Sequence, residues 1–182
     1  MLIVGGGIIG LATAYQIHHL WPDAQAIVLE KDPDLAQQQS GHNSGVLHAG
    51  LYYAPGSFKA RLAVAGIREM TAFCQAHGVP HEICGKLVIA TNEAEVPRLR
   101  TLLDRGTRNG LTGLRWLNAS EARAIEPAVQ AVAAVHVPEE GIVDYPAVCR
   151  ALAAEITAAG GRVILNAEVT ALRQAKTWVA ET

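Results

Sequence analysis

Residues 1–17 read MLIVGGGIIGLATAYQI. A short apolar run meets Gly5-x-Gly7-x-x-Gly10, and a helical stretch follows over 8–20. Glycines at this spacing carry little weight alone. Here the apolar run 1–4 reads as a strand, and "AIVLE" (26–30) reads as a second strand ending on the acidic Glu30. Strand, glycine turn, helix, strand and terminal acid together predict a βαβ dinucleotide-binding unit. Each glycine has a task. Gly5 permits the tight turn, Gly7 lets backbone approach a pyrophosphate, and Gly10 lets helix and strand pack closely. The helix start offers free N–H groups and a partial positive charge to phosphate oxygens. Glu30 is suited to accept from adenosine ribose hydroxyls and disfavours a 2′-phosphate, so NADP is not expected.

Outward from this unit the strand–helix rhythm stops. A free-standing NAD domain would continue with more βαβ units. Instead "SGHNSGVLHAGLYY" (40–53) brings glycines, serines, an asparagine, two histidines and two tyrosines into fourteen residues. Polar, glycine-rich segments of this kind often complete a site begun elsewhere. This favours FAD, whose ring system extends beyond the first βαβ unit.

Further elements follow from apolar pattern and capping residues. Helices are expected at 57–77, at 93–109, at 120–127 with Ser120 as N-cap, and at 145–159 behind a capping Asp144. Strands are expected at 85–91, 133–138 and 162–166. The last residues, 169–182, read as a strand, a polar turn and the start of another strand. An open strand edge there suggests the N-terminal part of a longer polypeptide.

Bulk properties exclude several classes. The chain has 182 residues, half of them hydrophobic, and a formal net charge of −2. No basic excess points to nucleic acid. No apolar run is long enough to cross a membrane, and the start has no signal-peptide pattern. Three cysteines, Cys74, Cys84 and Cys149, read as reduced thiols of a cytosolic protein. Cys74, His77, His81 and Cys84 have no usual zinc order, and no metal site is expected. His18 and His19 suit the C-terminal end of the first helix, and Cys149 suits the core.

The stretches "IVGGGIIGLATAY", "VLEKDPDLAQQQSGHNSGVLHAGLYYAPGSFKARL", "GKLVIAT" (85–91) and "PEEGIVDYPAV" (138–148) resemble the FAD-dependent L-2-hydroxyglutarate oxidase/dehydrogenase family. That family belongs to a wider D-amino-acid-oxidase-like superfamily. The resemblance implies a truncated α/β chain, with a Rossmann-like FAD-binding domain carrying the βαβ unit and part of an α+β substrate domain. The expected division is 1–80 for the first part of the FAD-binding domain, 81–140 for the partial substrate domain, and 141–182 for the return. In the superfamily the segment matching 40–50 runs beside the flavin, so Ser40, His42, Asn43 and Ser44 are candidate cofactor ligands. Gly5, Gly7, Ile9 and Gly10 are candidates from the glycine turn, Glu30 and Lys31 from the second strand end. Val169 matches a position whose backbone contacts adenine.

The implied reaction takes L-2-hydroxyglutarate to 2-oxoglutarate, with hydride going to the flavin and the hydroxyl proton to a base. Histidine suits that base. His48 is the first candidate and His42 the second; a purely structural role stays open for both. Tyr52, Tyr53, Lys59 and Arg61 are candidates for a dicarboxylate substrate. The electron acceptor is oxygen or a quinone. A cytoplasmic location is expected, with peripheral contact at the inner membrane left open. A sibling flavoenzyme acting on glycerol 3-phosphate or an amino acid, or an inactive nucleotide-binding fragment, is the alternative.

Overall fold

The computed structural model describes residues 1–174 and 178–182. In chain order the elements are β1 (Leu2–Val4), α1 (Ile8–Leu20), β2 (Ile27–Leu29), β3 (Val46–Leu47), α2 (Phe58–His77), β4 (His81–Glu82) and β5 (Lys86–Ala90). Then come a 3₁₀ turn (Glu93–Glu95), α3 (Val96–Arg108), β6 (Arg115–Asn118), α4 (Ala119–Ile125), β7 (Ala133–Val137) and β8 (Gly141–Val143). The chain ends with α5 (Tyr145–Ala158), β9 (Arg162–Ile164), β10 (Ala171–Gln174) and β11 (Trp178–Glu181). Among the described residues no helix is long and apolar enough to cross a membrane.

The chain divides into two compact units, 1–45 with 144–182, and 46–143. In the first unit β1, β2 and β9 form a parallel sheet in that order, with Ile3 opposite Val28 and Val28 opposite Val163. This is the βαβ unit expected from the glycine turn. The helices α1 and α5 pack together, burying Leu11, Ala14, Val148, Cys149, Leu152 and Ile156. Asp144 caps α5 by accepting the Ala147 N–H at 3.0 Å. The strands β10 and β11 form an antiparallel pair. The polar turn expected between them falls on 175–177, outside the described residues.

The second unit holds two antiparallel sheets, β3-β8-β4 and β5-β7-β6. Leu117, Ala122 and Ala134 form a small core with Leu87, Ile89 and Val129 against it. The compact units part after Gly45, and the first unit resumes at Asp144. The cause is pairing. Val46 and Leu47 pair with Ile142 and Gly141, and the Asn109 side chain donates to the carbonyls of Gly50 and Tyr53 at 2.9 and 3.0 Å. Both ties bind the segment after residue 45 to later parts of the second unit.

One cap differs from expectation. Asn118, not Ser120, caps α4: its Oδ1 accepts the Ser120 and Glu121 N–H groups at 2.9 and 3.0 Å. Glu121 in turn accepts the Asn118 N–H at 2.8 Å, completing a reciprocal capping box. The helix begins two residues earlier than a Ser120 cap would place it.

Candidate functional site

In the first unit the turn between β1 and α1 is built from its glycines. Gly5 has φ +103°, a region that L side chains rarely adopt. A Cβ on Gly10 would lie 2.0 Å from the Gly5 carbonyl oxygen. Only glycine lets the helix start fold back this tightly. The first turn of α1 leaves N–H groups without helical partners. One of them, on Ile8, is met by the Ser40 Oγ at 2.9 Å. Ser40 thus reaches across thirty-two residues of sequence to cap the helix. A Cβ on Gly7 would sit 3.2 Å from the same hydroxyl. Ile9 lies in this first turn with its side chain largely exposed.

Glu30 follows β2 and is buried. Its carboxylate accepts the Gly6 N–H at 2.6 Å and the Asp32 N–H at 2.9 Å. The Glu30 N–H donates to the Ile164 carbonyl, and the Glu30 carbonyl accepts from Ala167, both within 2.9 Å. These bonds draw the 164–167 segment, and with it the half-buried Val169, toward the end of β2. Val169 lies between β9 and β10 rather than within a strand. Lys31 pairs with Asp32 at 2.9 Å, half exposed. Asp32 also accepts from Gln38 Nε2 at 3.0 Å. The Gln38 and Lys31 hydrogen bonds hold the Asp32 carboxyl below the usual range, and Asp32 raises the Lys31 ammonium above its own.

The 38–45 segment closes on itself. His42 donates its Nδ1–H to the Gln38 carbonyl at 3.0 Å; a carbonyl can only accept, so the Nδ1 proton follows. Asn43 donates to the carbonyls of Gln39 and Ser40 at 3.0 and 2.9 Å and accepts the Gly45 N–H at 2.8 Å. The Asn43 side chain is therefore engaged in shaping the turn. Ser44 is exposed.

These features fit a dinucleotide. A glycine turn opens a helix, and a buried carboxylate stands at the end of the neighbouring strand against the turn's own N–H. Each Glu30 oxygen keeps a second acceptor direction for a ribose hydroxyl.

The second unit gathers a different set of side chains. His48, just past β3, has its Nδ1 3.6 Å from Glu140 Oε2 and 3.5 Å from Lys86 Nζ. Lys86 pairs directly with that Glu140 oxygen. The Lys86 ammonium lies 4.7 Å from the Tyr52 ring centre, and Tyr52 meets the His48 ring edge-on at 6.4 Å. Glu140 is fully buried, while the His48 side chain is 48% exposed. Sequence reading had singled out His48 and Tyr52 but neither Lys86 nor Glu140. Both lie inside segments it quoted, yet no spacing rule links them to His48. Asn109, which ties down the turn at Gly50–Tyr53, was equally invisible. Arg61 stacks on Phe58 of its own helix at 4.6 Å, and Lys59 is exposed. His42 belongs to the first unit and His48 to the second.

Comparison with known proteins agrees with this reading. The profile of the family described as "FAD dependent oxidoreductase" matches residues 1–182. L-2-hydroxyglutarate dehydrogenase of Escherichia coli K12 is 45% identical over 178 residues, which is 98% of this chain and 42% of that protein. The human mitochondrial L-2-hydroxyglutarate dehydrogenase is 43% identical over 176 residues, 97% of this chain and 38% of that protein. The chain therefore spans about two fifths of the length of these relatives. Among solved structures, L-α-glycerophosphate oxidase of Mycoplasma pneumoniae with FAD bound superposes with a TM-score of 0.88 at 29% identity. That match covers 98% of this chain and 48% of the other. Glycine oxidase of Geobacillus kaustophilus gives 0.85 at 25% identity, with 98% and 50% covered. The glycine turn, the buried acid after β2 and the match along the whole chain place this protein in the FAD-dependent oxidoreductase family, an α/β oxidoreductase fold whose cofactor is FAD.

Proposed function

We propose that the protein oxidises L-2-hydroxyglutarate to 2-oxoglutarate. The observation that carries this reading is the 45% identity, across nearly the whole chain, to a protein named for that reaction. FAD, when bound, supplies a two-electron acceptor for the hydride leaving the substrate Cα. The other half of the balance falls to the protein: the hydroxyl O–H bond breaks, its proton goes to a base, and the C=O bond forms.

Gly5, Gly7, Ile9 and Gly10 hold the pyrophosphate against the start of α1, and Glu30 holds the adenosine ribose. Lys31 flanks that ribose end, and the Val169 backbone contacts the adenine. Ser40, with its neighbours His42, Asn43 and Ser44, lines the cofactor from the segment that caps α1. His48 is the base, because its side chain remains half exposed while Nδ1 faces Lys86 and Glu140. His42 is the second candidate; its Nδ1–H donates to the Gln38 carbonyl. Tyr52, beside His48, contributes to substrate contact; Tyr53, Lys59 and Arg61 remain further candidates. The electron acceptor is oxygen or a quinone, and the location is the cytoplasm with any inner-membrane contact peripheral.

The match to L-α-glycerophosphate oxidase supports a second reading, oxidation of glycerol 3-phosphate. Anaerobic titration of the full-length protein separates them, following loss of the oxidised-flavin absorbance. Bleaching by the L-acid and not by its D-enantiomer or glycerol 3-phosphate is the expected result. Bleaching by glycerol 3-phosphate alone selects the second reading, and a colourless protein refutes both.

A further inference from the structure

We propose that Glu140 is a positioning residue for His48, acting through Lys86; the inference rests on His48 being the substrate-facing base proposed above. Three observations converge. Glu140 is fully buried, and a buried carboxylate survives only when paired and hydrogen-bonded. Its Oε1 accepts the N–H of Ala49, the residue after His48, at 3.1 Å. Its Oε2 pairs with Lys86 and faces His48 Nδ1 at 3.6 Å. The carboxylate therefore grips the backbone beside His48 and the cation beside its ring at once.

Lys86 is committed by the same geometry. Its ammonium meets the Glu140 carboxylate, His48 Nδ1 at 3.5 Å and the Tyr52 ring at 4.7 Å. An ammonium has three N–H bonds, and these neighbours occupy its surroundings. Lys86 is thus not the cation that receives a substrate carboxylate; it is the link between Glu140 and His48. The charges of Lys86 and Glu140 cancel beside Nδ1. With its Nδ1–H turned toward Glu140 Oε2, the neutral ring keeps its lone pair on the outer nitrogen and can gain a proton there without facing an uncompensated ammonium.

The test uses full-length, FAD-loaded protein and a cycle of Glu140→Gln and His48→Asn. Glutamine keeps an acceptor for Ala49 but removes the charge on Lys86. The limiting rate of anaerobic flavin reduction by L-2-hydroxyglutarate and the apparent substrate Kd are read separately. The ring ¹⁵N shifts of His48 are recorded in the resting protein. E140Q is expected to lower the limiting rate about tenfold, the scale of lost outer-shell support, with Kd within about twofold. The His48 ring shifts move. In the H48N background E140Q costs less than about twofold, because the effect passes through His48. Should the unpaired Lys86 charge prevent folding, the charge-free E140Q/K86M protein takes its place in the same cycle. An equal loss in both backgrounds, or an unchanged rate with unchanged His48 shifts, overturns the proposal while leaving the proposed function standing. A wild-type rate in H48N alone instead removes the reading of His48 on which the proposal stands, and the proposal with it.

Discussion

The Glu30 carboxylate accepts the Gly6 N–H at 2.6 Å. The acid expected to meet the cofactor ribose is therefore already joined to the glycine turn proposed to hold the pyrophosphate. Its second bond, to the Asp32 N–H, fixes the chain where it leaves β2. Glu30→Ala leaves two backbone donors without their acceptor. The expected cost is about 1–3 kcal/mol, read by denaturant unfolding of the flavin-free protein. Flavin content after purification should fall in the same variant.

Gly10→Ala probes the turn from the other side. The new Cβ would lie 2.0 Å from the Gly5 carbonyl oxygen, a backbone atom that cannot swing aside. The helix start must shift, at a cost of about 3 kcal/mol or more. Thermal unfolding together with flavin absorbance checks this, and both should drop. Gly66→Ala, where an added Cβ meets nothing within 4 Å, is the matched control.

At α4 the two candidate caps are separable. Asn118→Ala removes the acceptor for two N–H groups and breaks the capping box, with an expected loss of about 1 kcal/mol. Ser120→Ala removes only a hydroxyl that donates to Asn118 at 2.7 Å and should cost less. Urea unfolding of the two variants, measured side by side, decides the order. Neither change should alter the limiting rate of flavin reduction.

His136 supplies a pH dependence. Its Nδ1 lies 3.4 Å from an Arg115 guanidinium nitrogen. Burial first, and then the Arg115 charge, push its pKa below the ordinary 6.5. The folded state thus binds the proton less readily than the unfolded chain. This contribution to stability is full above pH 6.5 and is lost as pH falls toward the lowered folded value. Stability measured across that window should decline less steeply in His136→Gln than in the parent.

The three thiols should react in two classes. Cys84 is exposed, whereas Cys74 and Cys149 are buried. Burial raises the Cys74 thiol and pushes Cys149 up to about 11. Because the thiolate is the reactive form, a thiol reagent at pH 8 should titrate one group rapidly in the native protein. Three should appear after denaturation. Fast native reaction of more than one thiol would contradict this arrangement.

Much of the first unit could be read locally. The strand, glycine turn, helix and acid of residues 1–30 lie close together in sequence, and each glycine answers a nearby steric demand. The long helices α2 and α5 were expected at 57–77 and 145–159, the second behind its capping Asp144. The two-residue strands β3 and β4 did not, since two residues carry no periodicity. The cap of α4 was misplaced because serine and asparagine serve equally well as N-caps, and only backbone geometry chooses between neighbours.

Sequence alone determined the βαβ unit, its acid and the class of cofactor, because those rest on short-range turn geometry and on chemistry carried by single residues. Tertiary structure decided what surrounds His48. Glu140 lies ninety-one residues beyond Ala49, whose N–H it accepts. It reaches that bond because Gly141 and Ile142, which directly follow it, pair with Leu47 and Val46. Nothing in the lone dipeptide Glu139–Glu140 distinguishes a buried carboxylate from a solvated one. Burial is a property of what folds over a side chain, and here distant strand pairing brings it about.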